Sequence, residues 1–180
     1  MKAAIITGPG IAPIYADFDR PQPQGKEQRL RVSASALSHL TRGRASGRHY
    51  SADNRFPFVP GVDGVGRRDD GSRVYFAMPR APFGAMAEET VVDATHCVPV
   101  PDDLDDVTAA ALANPGMSSW AALRHRARLN PGETVLINGA TGVSGKLAIG
   151  IARHLGAGRI IATGRDPVAQ IGRASCRERV

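Results

Sequence analysis

The chain has 180 residues, 42% hydrophobic and 22% charged, with a net charge of +6. A chain of this size buries roughly 70% of its unfolded surface, which is enough for a core. No run of about 18 apolar residues is present, which excludes a spanning helix, and the MKAAIITGPG start has too short an apolar stretch for a secretory leader.

The positive charge does not mark a nucleic-acid binder. Arginines at 29, 31, 42, 44, 48, 67, 68, 124, 126 and 128 are scattered, acids such as Asp102–Asp106 lie between them, and no block of five or six like charges occurs. The two cysteines, Cys97 and Cys176, fit neither a disulfide framework nor a metal spacing, so reduced thiols and a cytoplasmic location are expected.

In chain order, MKAAIIT and QRLRVSASAL read as strands, and FPFVPGVDGVGRRDDGSRVYFAM reads as short strands joined by tight turns. A further strand pair is expected around FGAMAEETVVDATHCVPVP, and prolines at 57, 60, 79, 82, 99 and 101 leave no room for a long helix. Beyond residue 102 the acids preceding VTAAALAN favour a helix start. The NPG at 114–116 is expected to end that helix, with MSSWAALRHRARL starting another. Asn130-Pro131-Gly132 then turns into strand TVLIN, a glycine loop, helix KLAIGIARHLG and strand RIIAT. In that helix Leu147, Ile151 and Leu155 share a face and Gly156 supplies the stop. This is a β-loop-α-β unit.

After Arg165-Asp166-Pro167 the pattern fails: IGRASCRERV has neither helical period nor strand alternation. A doubly wound domain needs further strands, so the chain reads as a C-terminally truncated piece whose residues 168–180 form a poorly packed tail, not native sequence.

The loop Gly139-Ala140-Thr141-Gly142-Val143-Ser144-Gly145 joins a strand directly to a helix. Glycines allow the tight turn and bring backbone close to a pyrophosphate, whose charge meets the helix N-terminus. A triphosphate P-loop ending at Gly145-Lys146 would need Gly at 140 and Ser or Thr at 147, where Ala140 and Leu147 stand. Gly139, Ala140, Thr141, Gly142, Val143 and Gly145 are therefore the expected dinucleotide-binding residues. Arg165, at the end of the second strand, suits the 2′-phosphate of NADP, whereas an acid would select NAD; Asp166 beside it pulls the other way.

FPFVPGVDGVG, the RVY strand, FGAMAEET, ANPGMSSWAAL and NPGETVLINGATGVSGKLAIGIARHLGA together resemble the medium-chain dehydrogenase/reductase superfamily, particularly its zinc-free quinone-oxidoreductase-like members. The resemblance covers residues 1 to about 167. It implies a mixed fold: a β-rich GroES-like catalytic domain (1–115) followed by the start of an α/β Rossmann NADP-binding domain (116–167). Val62 stands where zinc-dependent relatives carry a histidine ligand, and Ser38 lies near the position of their first cysteine ligand, so no metal site is expected. The five histidines, at 39, 49, 96, 125 and 154, show no ligand spacing, and His96 and Cys97 are expected on opposite sheet faces.

The resemblance further implies NADPH-dependent hydride transfer, without zinc, to a quinone or activated alkene or carbonyl. Ser38 takes the place of an asparagine near the reacting groups. Tyr50 either donates a hydrogen bond to the acceptor oxygen or caps the core. Ser118 keeps a hydroxyl near the nicotinamide, while Trp120 is expected to be a packing residue. A small molecule is the expected partner, with no nucleic acid or membrane, and relatives commonly form homodimers. The rival readings are a zinc-type alcohol dehydrogenase relative and an inactive cofactor-binding fragment.

Overall fold

The structure is a computed structural model and describes residues 1–52 and 55–165. The expectation of a tail over 168–180 lies outside these residues, as do Asp166 and Cys176. The chain divides into two compact units, the first Met1–Ala111 and the second starting at Leu112.

The first unit is built on antiparallel strands. β1 (Lys2–Ile5) pairs with β2 (Ile14–Asp17). β3 (Glu27–Ala34), β4 (Asp63–Arg67), β5 (Arg73–Ala77), β6 (Glu89–Asp93) and β7 (Cys97–Pro99) form a five-stranded sheet in the order β6-β3-β4-β5-β7. Leu30, Val74, Phe76, Ala85 and Val92 pack on one another as its largest buried cluster, and a second cluster joins Val65 and Val100 to Ala109 and Ala110. The strand residues Val74 and Phe76, two apart on β5, show the alternation of a pleated surface with one face in the core.

Two expectations are corrected in this unit. The two strands within FGAMAEETVVDATHCVPVP exist but do not pair: β6 lies beside β3 on one edge and β7 beside β5 on the other. Between them Asp93 caps a 3₁₀ turn, Ala94–His96, by accepting from the Thr95 amide. That turn redirects the chain to the far edge. His96 therefore closes a turn, and the sheet-face argument for His96 and Cys97 does not apply. The strand read from QRLRVSASAL to Leu37 ends at Ala34, and helix α1 (His39–Ala45) follows shortly after it. Ser38 ends the extended run by capping that helix, its Oγ accepting from the Thr41 amide at 3.1 Å.

α2 (Asp106–Trp120) runs through Pro115 instead of ending at NPG, and a π-helical turn, Ala121–Arg126, follows it. A proline inside a helix removes one i→i−4 bond without forbidding the helix, and the fold accepts that cost here.

In the second unit β8 (Thr134–Asn138) and β9 (Arg159–Thr163) pair in parallel, with α3 (Val143–His154) crossing between them. Both strands keep the expected boundaries. The buried face of α3 is Ala148, Ile149 and Ala152, packed with Ile137, Ala140 and Ile160. Leu147, Ile151 and Leu155, chosen from the apolar period, are only half-buried. Small alanines let the helix lie close to the strands, so the packed face is set by size as well as by hydrophobicity.

Candidate functional site

The turn after β8 is tied down from both sides. The Ala140 amide donates to the Thr163 carbonyl at 2.9 Å, and the Thr163 hydroxyl donates to Asn138 Oδ1 at 2.8 Å. The end of β9 thus holds the start of the turn. Gly139 adopts φ +75°, a left-handed conformation that favours glycine. A Cβ on Gly145 would lie 2.3 Å from the Gly139 carbonyl oxygen and 2.7 Å from Ala140 Cα, so the helix can approach its own turn only with glycine there.

Gly142 behaves differently. It caps α3 with ordinary extended dihedrals and supplies no side-chain acceptor, and a Cβ there would meet only the Gly139 oxygen at 3.6 Å. The fold does not need this glycine. The first-turn amides of Val143, Ser144 and Gly145 have no intrahelical acceptor, as at any helix start, and no side chain caps them. A positive helix end with open backbone suits a pyrophosphate. Ala140 is buried, Thr141 is half-buried, and Val143 is exposed at the mouth of the turn. Arg165 is exposed two residues beyond β9.

Ser118 faces solvent on α2, whereas the neighbouring Ser119 hydroxyl approaches the Ser144 carbonyl at 3.4 Å. Ser119 is thus the α2 hydroxyl that reaches the first turn of α3, and spacing alone did not separate the two serines. Trp120 is 39% exposed with its ring 6.0 Å from that of His154, so it is only partly packed.

In the first unit Ser38 and Tyr50 are not brought together. Ser38 Oγ is occupied by its capping bond and lies 3.1 Å from Thr41 Oγ1. Tyr50 is 95% exposed and stacks on His49 at 4.3 Å between ring centroids. That exposure removes the alternative in which Tyr50 caps the core.

Neither residue lines a cavity of about 310 Å³ in this unit. Its walls include Phe56, Phe58, Val62 and Phe83, and α1 contributes Thr41 and Arg44. The wall segments are fixed by backbone bonds from Val59 N to Pro82 O and from Ala85 N to Gly61 O, at 2.9 and 3.0 Å. Next to Val62, Asp63 is buried and its Oδ2 accepts from the Tyr75 hydroxyl at 2.8 Å, while Oδ1 has no partner. Burial raises the Asp63 carboxyl above its ordinary range, an effect partly opposed by the Tyr75 bond. Among the described residues no group of three or more His, Cys, Asp or Glu side chains is placed to hold a metal ion. Burial also raises the free Cys97 thiol, which argues against a reactive thiolate. No helix among the described residues is long and apolar enough to cross a membrane.

An antiparallel sheet-rich unit followed by a parallel β-α-β unit with a glycine turn is the arrangement of the medium-chain dehydrogenases/reductases. No family model matches the chain. It is 32% identical to a probable NADPH-dependent quinone reductase of Emericella nidulans, over 92% of this chain and 55% of that protein. It is 31% identical to the quinone oxidoreductase of Rattus norvegicus, over 83% of this chain and 47% of that protein. Among solved structures, the quinone oxidoreductase from Thermus thermophilus, also solved in complex with NADPH, superposes with a TM-score of 0.82 at 30% identity. That match covers 94% of this chain and 54% of the Thermus chain. The chain belongs to the quinone-oxidoreductase-like members of the medium-chain dehydrogenase/reductase superfamily. It spans about half the length of these relatives.

Proposed function

We propose that the chain carries the NADPH-binding turn and the acceptor-side unit of an NADPH-dependent oxidoreductase that reduces a quinone or an activated alkene or carbonyl without zinc. The observation that carries this reading is Gly142: a helix start with open backbone, where the fold tolerates a side chain but the sequence supplies none. The names of the Emericella and Thermus relatives support the cofactor and the acceptor class.

Residues 1–115 are read as the catalytic domain and 116–167 as the start of the cofactor domain. Gly139, Ala140, Thr141, Gly142, Val143 and Gly145 would hold the pyrophosphate through backbone amides and the α3 dipole. Arg165 would pair with the 2′-phosphate through its guanidinium fork. When bound, NADPH supplies a hydride equivalent; a quinone accepts it with one proton and leaves as the hydroquinone. Conjugation makes such acceptors electrophilic already, so no Lewis acid is required, and Val62 offers no metal ligand. The protein's contribution is then positioning and electrostatics.

Ser38, Tyr50 and Ser118 stand as candidate groups about the acceptor and nicotinamide. The exposed Tyr50 hydroxyl is free of core packing and available as a donor, while Ser38 first serves α1 as its cap.

The test is NADPH oxidation by the full-length protein with a quinone, an enone and a simple aldehyde, each with and without a chelator. Turnover with quinone or enone that is insensitive to chelator is expected. Activity abolished by chelator, or confined to the aldehyde, would favour the zinc-type alcohol dehydrogenase reading.

A further inference from the structure

The net charge of the chain is not shared between its two units. Residues 1–111 carry 13 Lys and Arg against 14 Asp and Glu, whereas residues 112–180 carry 10 against 3. The whole positive excess therefore belongs to the unit that holds the glycine turn. Among its described residues, 112–165, Glu133 is the only acid, and its carboxylate accepts from the Asn130 amide at 2.7 Å. Arg124, Arg126, Arg128, Lys146 and Arg165 are all exposed.

Part of this charge is explained by the fold. Arg124 and Arg126 stand in the last turn of the helical segment after α2, and Arg153 in the last turn of α3, where the negative end of a helix favours cations. Lys146 has no such account. It lies in the first turn of α3, at the positive end, where a cation opposes the helix dipole, and that turn holds no acid to offset it. Its amide makes the bond to the Gly142 carbonyl, at 2.9 Å, that starts the helix. Side chains on a helix lean toward its N-terminus, which carries the Lys146 ammonium toward the glycine turn. The turn thus lies within a surface of one sign.

We propose that this surface, with Lys146 as its member beside the turn, steers anionic nucleotide to the glycine turn, so that the preference for NADPH over NADH is partly one of association rate. A field of one sign over a binding site raises the encounter rate of an oppositely charged ligand and is screened by salt. NADPH carries roughly two more negative charges than NADH, in its 2′-phosphate, so the two nucleotides feel that field unequally. Arg165 then acts after docking, on dissociation, and Lys146 acts before it. The inference rests on the oxidoreductase reading for the identity of the nucleotide.

The test is stopped-flow association and dissociation of NADPH and of NADH on the full-length protein, at ionic strengths from about 0.02 M to about 0.5 M. NADPH association should slow about tenfold or more over that range and NADH association clearly less, with both dissociation rates nearly constant. Lys146→Gln should slow NADPH association about twofold at low salt and Lys146→Glu about fourfold, with the difference vanishing at high salt. Each variant removes a cation from the positive end of α3, so neither should lower the melting temperature, as loss of a merely structural lysine would. Lys26→Gln deletes an exposed charge from the first unit and should leave all rates unchanged. Association rates independent of salt, an equal slowing by Lys26→Gln, or Lys146 variants that alter dissociation alone would overturn the proposal. Tight NADPH binding at salt-independent rates sinks the steering and leaves the cofactor reading intact. Absence of saturable NADPH binding sinks the reading and the steering with it.

Discussion

At the residue scale, the glycine turn contains two kinds of glycine. Gly145 is required by the fold, since its Cβ would collide with backbone that cannot swing away, whereas Gly142 has room for a methyl group. Gly145→Ala should therefore lower the melting temperature by several degrees together with NADPH affinity, the cost of forcing backbone apart. Gly142→Ala should leave the melting temperature nearly unchanged while weakening NADPH several-fold. Thermal melts and nucleotide titrations on the two variants separate these effects; an unchanged affinity in Gly142→Ala would mean that no ligand approaches there. Asp63 gives a pH prediction. Its folded carboxyl value is raised by burial, so its contribution is complete below the unfolded value and is lost as pH rises through the folded one. Asp63→Asn keeps an acceptor for the Tyr75 hydroxyl and removes the buried charge. Followed from about pH 4 upward, its melting temperature should gain on the parent's as pH rises. A difference that stays constant over that range would contradict the assignment.

At the element scale, what was legible followed from local chemistry. The boundaries of β8 and β9 could be read because Asn130-Pro131-Gly132, the glycine loop and Gly156 punctuate short β-branched runs on every side. α1 was not legible, because a seven-residue helix has little period to show. The partnerships of β6 and β7 were also hidden, since strand identity is local but pairing is decided by the sheet as a whole. Pro115 misled in the opposite direction: its chemistry argues for a helix end, and the surrounding helix overrides it. The substitution Pro115→Ala should thus stabilise the chain, by about 1–3 kcal/mol if the segment relaxes to regular geometry. Denaturant unfolding measures it, and a loss of stability would show that the proline-containing geometry is needed.

At the scale of the whole molecule, the mixed fold and the superfamily were recognisable from several motifs in a fixed order, and the relatives bear both out. The individual site residues were less accessible. Motif position led to Ser118, and helix phase brings the adjacent Ser119 hydroxyl to α3. Ser38 drew attention to α1, but it is Thr41 and Arg44, one and two turns further along, that line the cavity. Residue type and spacing mark a turn suited to phosphate; which neighbouring hydroxyl or cation faces a cavity depends on three-dimensional phase. The central proposal is that this turn, with Arg165 two residues beyond β9, selects NADPH. The most direct measurement is the ratio of NADPH to NADH affinity in the parent chain and in Arg165→Ala. The parent should favour NADPH by about tenfold or more, the worth of a charge-assisted pair, and the variant should lose most of that ratio while retaining NADH affinity. Equal loss for both nucleotides, or no preference in the parent, would contradict it.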